Sequence, residues 1–270
     1  MKEHYHGKKV PPQKGHPSRQ SNPEQTSLWV RGRHEVFSVL KSDQQITRIF
    51  LGANATGGLI NDIRLVAEKR KIQIEAISSE LLEQKSGGKC QGCAALIKEF
   101  QYKTLDAVLD SVRAKKRVVL CALNNVEDPR NLGAIIRTAE AAGAAGVIIP
   151  ERRSAGVTEW AISTSQGAAF SLPIIKVVNL GDTLEKLKAE NFWIVGLSEA
   201  SPKRYDEFEY PEKVVLVAGG EDVGLGSRVK SVCDETVRIP LLGCTPSLNV
   251  SVSVAIALFE IQRKFGFENK

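Results

Sequence analysis

Residues 118–150, VVLCALNNVEDPRNLGAIIRTAEAAGAAGVIIP, decide the fold of this chain. The opening run, 118–123, is apolar throughout, as expected of a strand buried on both faces rather than half exposed. A polar segment follows, in which Asp128–Pro129 can start a turn. Residues 134–142 then read as a helix, and a second apolar run at 147–150 reads as another strand. Strand, helix and strand in that order is the unit from which parallel sheets covered by helices on both faces are built.

The alternation continues toward the C-terminus. Strands are expected at 174–177, 193–197, 214–218 and 237–239, and helices at 158–164, 183–188 and 226–232. A last helix is expected from about 249 to 265, where Val250, Val254, Leu258, Ile261 and Phe265 recur at helical spacing and form a stripe to lay on the sheet. Upstream, the pattern predicts a helix at 35–41, a strand at 47–51, a helix at 59–71, a strand at 72–77 and a short helix from Ser79. Gly87 and Gly88 mark a turn after it. The expected organisation is α/β throughout: a small domain over 28–100, a charged and partly helical linker over 101–116, and a larger domain over 117–270 with a parallel sheet. Residues 1–27 hold Lys2, Lys8, Lys9, Lys14 and Arg19 against Glu3 and Glu24, with almost nothing apolar to bury, and read as a disordered basic tail.

Composition bounds the function. The chain has 270 residues, 42% hydrophobic and 25% charged, and no apolar run approaches a membrane span. The N-terminus has no apolar core of a secretory signal, so a cytoplasmic protein without a membrane partner is expected. A net charge of +6 fits an anionic partner, nucleic acid first, because counterion release from phosphates drives such binding. All four histidines (His4, His6, His16 and His34) lie in the first 34 residues. The larger domain therefore cannot build a Ser-His-Asp or Cys-His hydrolase, or a histidine-ligated metal centre. Five cysteines, at 90, 93, 121, 233 and 244, are an odd set that argues against a disulfide framework. Cys90 and Cys93 form one C-x-x-C with no second pair to complete a zinc site, so two partly buried thiols and no metal are expected.

Three loops follow the C-terminal ends of expected strands, the edge where open α/β sheets bind ligands. They are residues 124–133, 219–226 and 241–249. Each has a structural reading as well: Gly219 and Gly220 can make a tight strand exit, and Ser247 or Asn249 can cap the last helix. The glycines of 219–226 fit neither a P-loop nor a dinucleotide fingerprint. What the loops share is backbone exposed on small residues, able to wrap an adenine-ribose group without a phosphate cradle.

In that order, DPRNLGAIIRTAEAAG (128–143), LVAGGEDVGLG (216–226) and IPLLGCTPSLNVSVSVAIALFE (239–260) resemble the three motifs of the SpoU (TrmH) family of RNA ribose 2′-O-methyltransferases, in the SPOUT superfamily. ERRSAGVTEW (151–160) and SQGAAFSLP (165–173) resemble that family too. Weaker similarity at Val30, Gly32, Val36 and Gln91–Gly92 resembles the ribosomal-protein-like RNA-binding domain of the bacterial type that modifies a guanosine of large-subunit ribosomal RNA. Cys90 departs from it, standing where many members carry histidine. The resemblance implies a trefoil-knotted C-terminal domain, a homodimer, and S-adenosylmethionine bound near the subunit interface. It implies catalytic roles for Asn131, Arg137, Glu221, Ser247 and Asn249, and cofactor contacts, largely through backbone, for Gly219, Ile239, Leu241 and Leu248. Two other readings compete with it: a transfer-RNA ribose methyltransferase, and a non-catalytic ribosomal-RNA-binding or assembly protein.

Overall fold

The computed structural model describes residues 27–220 and 223–267. The basic tail expected at the N-terminus lies outside them except for its last residue, and so does Glu221.

The larger sheet is built from β5 (Val118–Asn124), β6 (Gly146–Pro150), β7 (Ile174–Val177), β8 (Trp193–Leu197), β9 (Lys213–Gly219) and β10 (Glu235–Val237). Its order is β10-β8-β9-β5-β6-β7, and every neighbouring pair is parallel. Period two along each strand sorts its side chains to two faces. From β5, Val119, Cys121 and Leu123 enter one core, with α5 (Pro129–Ala141), α6 (Glu159–Ser165) and α9 (Val250–Phe265). Val118, Leu120 and Ala122 enter the other, with α4 (Leu105–Val112), α7 (Leu180–Ala189) and α8 (Ser227–Val232). Both faces are covered, which is why these strands read as unbroken apolar runs.

Residues 101–116, expected as a charged and partly helical linker, hold helix α4 and are docked on the larger unit: Lys103 N donates to Ile174 O at 2.9 Å, Val157 N donates to the Tyr102 hydroxyl at 3.0 Å, and α4 buries Val108 and Val112 on the sheet. β10 ends two residues early. After Val237 the chain leaves β8 and runs beside 203–205, where Arg238 N donates to Lys203 O at 2.9 Å.

The N-terminal unit holds a four-stranded sheet of order β1-β4-β2-β3, from β1 (Leu28–Arg31), β2 (Ile46–Gly52), β3 (Ile74–Ile77) and β4 (Cys93–Ile97). Helices α1 (Arg33–Lys41), α2 (Gly58–Lys69) and α3 (Ser79–Ser86) complete it, and Gly87 ends α3 in the left-handed region at φ 73°. β4 pairs antiparallel with both β1 and β2, and neither β1 nor β4 was expected. Cys-Ala-Ala is poor strand sequence; β4 forms because its backbone is paired on both sides and its side chains are buried. Cys90 and Cys93 are fully rather than partly buried, and burial pushes the Cys93 thiol up to about 12. The unit is fastened to α6: Glu159 accepts from Trp29 N at 2.8 Å and pairs with Arg31 at 3.0 Å.

Candidate active site

The three loops lie together at the C-terminal edge of the parallel sheet, and hydrogen bonds fix the first to the second and the first to the third. Asn124, the last residue of β5, accepts from Gly226 N through Oδ1 at 2.7 Å and from Gly220 N through its carbonyl at 2.8 Å. Gly224 N returns to Gly220 O at 2.8 Å. A Cβ on Gly219 would lie 2.1 Å from the Gly224 carbonyl carbon, and one on Gly220 would lie 2.1 Å from Asn125 O. Both glycines are therefore required sterically, because the strand exit folds back onto backbone that leaves no room for a side chain.

α5 begins earlier than its apolar pattern implied, at Pro129 rather than 134, because Asp128 caps it by accepting from Arg130 N at 2.8 Å and Pro129 takes the first helical position. Asn131 accordingly sits in the first turn, and Arg137, expected one turn inside, is more than two turns inside. Six residues of helix separate them by about 9 Å along the axis and about 120° around it. Arg137 is exposed, and among the described residues its side chain makes no hydrogen bond or ion pair. It does not pair with Glu140, one of the two carboxylates a purely structural arginine here would take; the other, Glu221, lies outside the described residues.

Asn249 caps α9, accepting from Ser251 N at 2.9 Å, and its Nδ2 donates to Asn131 Oδ1 at 3.0 Å. This bond ties the third loop to the first across 118 residues of sequence.

Two cavities open beside that bond. One, of about 430 Å³, is lined by Ala218, Gly219, Gly224 and Leu225 after β9, by Ile239, Leu241, Ser247 and Leu248 after β10, and by Leu197–Ala200 after β8. It takes in all four positions expected to hold the cofactor, together with Ser247. Its size suits a small molecule; small and aliphatic residues make up most of the lining, and Glu199, Lys230 and Arg238 add charged side chains to it. The second, of about 450 Å³, is lined by Asn125, Glu127, Asp128, Asn131 and Arg153. The two share Gly220, Val223 and Val250 as a common wall. Arg137 and Asn249 line neither.

Among the contributors that sequence reasoning missed are two loops, residues 198–200 after β8 and Arg153 after β6; it also missed Lys230, Arg238 and Ser253. Both loops follow C-terminal strand ends, so the rule that marked the other loops would have marked these. Among the described residues no group of three histidine, cysteine or carboxylate side chains is placed to hold a metal. Cys121 lies in β5 below the site, and burial pushes its thiol up to about 12, which leaves it no nucleophilic role.

Residues 117–259 match the sequence model of the SpoU rRNA Methylase family, and 29–103 match that of RNA 2′-O ribose methyltransferase substrate binding. YacO of Bacillus subtilis, a protein assigned to the TrmH family of tRNA/rRNA methyltransferases, is 33% identical over 87% of this chain and 95% of its own. The AdoMet-bound rRNA methyltransferase of Sinorhizobium meliloti has the same fold, with a TM-score of 0.76 over 89% of this chain and 88% of its own at 24% identity. The TrmH/SpoU tRNA modifying enzyme of A. aeolicus is 31% identical, with a TM-score of 0.51 over 60% of this chain and 85% of its own.

Proposed function

The chain belongs to the SpoU rRNA methylase family, and from that premise we propose that it transfers the methyl group of S-adenosylmethionine to a ribose 2′-hydroxyl of RNA, most specifically of a guanosine in large-subunit ribosomal RNA. The observation that carries this reading is the pair of cavities divided only by Gly220, Val223 and Val250. A pocket lined mainly by small and aliphatic residues beside one lined by polar side chains supports methyl transfer between a nucleoside cofactor and a nucleotide.

S-adenosylmethionine, when bound, supplies an electrophilic methyl on a sulfonium. This chain's residues would do the rest. Gly219, Ile239, Leu241 and Leu248 hold the cofactor, and Asn131, locked to Asn249, orients the ribose, with Ser247 in the lining of the first cavity; Glu221 joins them on its match to the family motif alone. Alignment at near-attack distance supplies a large share of the rate. The remaining need is to stabilise the oxygen as it loses its proton. Arginine, with a pKa above 12, is a poor base, so Arg137 serves as a fixed cation, while a substrate phosphate or water takes the proton. At about 4 Å and an effective dielectric near 20, such a cation is worth roughly 4 kcal/mol, about a thousandfold in rate; in water it is worth only about 1 kcal/mol. Arg137 is exposed in the single chain, so the larger figure requires that something cover it.

A homodimer meets that need. Val252 and Phe259 share a stripe of α9 and are 45% and 44% exposed, and α9 packs on α5, the helix that carries Arg137. A second copy over these helices would bury the stripe and thin the water around Arg137. The same reading carries a trefoil knot, formed as residues 238–249 thread back from the sheet edge to α9, and a cytoplasmic location. No helix among the described residues is long and apolar enough to cross a membrane.

Ribosomal RNA is favoured over transfer RNA by the resemblance of the N-terminal unit to a ribosomal-protein-like domain and by the rRNA methylase family matched over 117–259. Mapping 2′-O-methyl sites in a deletion strain tests the choice. Loss of one ribose methyl from large-subunit ribosomal RNA is expected; loss from a transfer RNA instead would reassign the substrate, and no loss would favour the non-catalytic reading.

A further inference from the structure

We propose that the indole of Trp160, with the Arg130 guanidinium beside it, is a stacking platform for a base of single-stranded RNA next to the nucleotide in the active site. This rests on the reading of the substrate as RNA and adds to it a residue that selects unpaired RNA.

Trp160 lies in the first turn of α6 and is 61% exposed, although Ala161 and Ile162 after it are buried in the core. The helix is therefore held by its other side, and the fold has no need of an indole here. A large aromatic surface left in water at the edge of a site commonly marks a contact with a ligand or partner. The Arg130 guanidinium lies 5.5 Å from the ring centroid. Arg130 also stands one residue before Asn131, so the ring and the polar cavity are neighbours.

The charges around the ring point to a polyanion. Arg130, Arg152 and Arg153 are all exposed, and among the described residues none makes an ion pair, although Glu127, Asp128 and Glu151 stand in the same loops. Guanidinium groups left open beside an exposed indole fit phosphate and a base face, the combination by which single strands are held. The position fits as well. Glu159, the residue before Trp160, is the anchor that receives Trp29 N and Arg31 from β1. The platform therefore stands at the seam between the N-terminal unit and the active-site loops, where RNA held by the first would pass to the second.

The test uses the full-length protein and two probes, unmodified transcripts of ribosomal RNA and of transfer RNA, whichever the wild type methylates. Trp160→Ala is expected to raise the KM for RNA about 5- to 150-fold, the range of one lost base stack, with kcat at saturating RNA and cofactor affinity within a few-fold of wild type. Trp160→Phe should retain most of the affinity, and Arg130→Ala should give a smaller rise. RNA should quench wild-type indole fluorescence, and Trp160→Phe should abolish that quench while Trp29 and Trp193 remain. An unchanged KM for Trp160→Ala, or a quench that survives in Trp160→Phe, overturns the proposal. So does a fall from dimer to monomer mass in Trp160→Ala, which would assign this surface to a second copy. A wild type that methylates neither probe removes the RNA reading itself, an outcome distinct from failure of the variants alone.

Discussion

Two cavities share a wall at the C-terminal edge of the large sheet, and they are built in opposite ways. The one under the ends of β8, β9 and β10 is lined mainly by small and aliphatic residues such as Gly219, Gly224, Ile239 and Leu248, with Glu199, Lys230 and Arg238 beside them. The one beside α5 is walled by the side chains of Asn125, Glu127, Asp128, Asn131 and Arg153. A pocket lined mainly by glycine and aliphatic residues depends first on where the chain runs, so it is vulnerable to added atoms. A side-chain-walled pocket depends on particular functional groups. Binding of the cofactor and chemistry on the substrate should therefore come apart under mutation.

The largest effect expected is on the side-chain half. Arg137→Ala should lower kcat roughly a thousandfold while binding S-adenosylmethionine within a few-fold of wild type, because its cation acts only as charge develops. Arg137→Lys should recover part, since one ammonium does not reproduce the planar fork. Near-wild-type turnover by the alanine variant would erase the contrast.

Next comes the backbone half. Gly219→Ala places a Cβ where the Gly224 carbonyl group stands, so the loop must move. Calorimetric affinity for the cofactor should fall about 5- to 150-fold, corresponding to the usual 1–3 kcal/mol of overpacking. A thermal melt should confirm that the variant is folded. Unchanged affinity would mean that the exit loop is not part of the cofactor site.

The bond that joins the halves should give an intermediate effect. Asn249→Ala removes the cap of α9 as well as the donor to Asn131 Oδ1. Denaturant unfolding should show a loss of about 1 kcal/mol, and turnover should fall further than that loss explains. In a double-mutant cycle with Asn131→Ala the effects on turnover should be less than additive; additive effects would show two separate roles.

The smallest effect concerns the strand beneath both cavities. Burial raises the Cys121 thiol from 9.0 to about 12, so the folded chain keeps a proton that the unfolded chain releases above pH 9. Its contribution is complete below pH 9 and is lost as the pH rises toward 12. By pH 9.5 the loss is on the order of 1 kcal/mol, or about 2–4 °C in Tm, and Cys121→Ala should lack that part of the alkaline decline.

How much of this was legible in the sequence follows the same division. The parallel sheet was readable because strands buried on both faces are apolar without interruption, and β5 to β9 fall where their apolar runs predict. β1 and β4 were not, because what makes LWVR and CAALI strands is pairing with residues far along the chain. The start of α5 was misplaced because Asp128 and Pro129 act as a cap and a first turn, features that apolar periodicity does not register. The cofactor positions matched to family motifs fall in one cavity, since motif spacing and backbone path go together. Arg137 is harder: it was placed by motif alone, and it lines neither cavity.

The central claim, methyl transfer to a ribose of RNA, has a direct test. Purified protein, S-adenosylmethionine labelled in the methyl group, and unmodified ribosomal RNA should yield labelled RNA whose alkaline hydrolysis leaves the label in a dinucleotide, because a 2′-O-methyl blocks cleavage of the neighbouring phosphodiester. Label released in mononucleotides would place the methyl on a base, and label on protein alone, or none at all, would contradict the account.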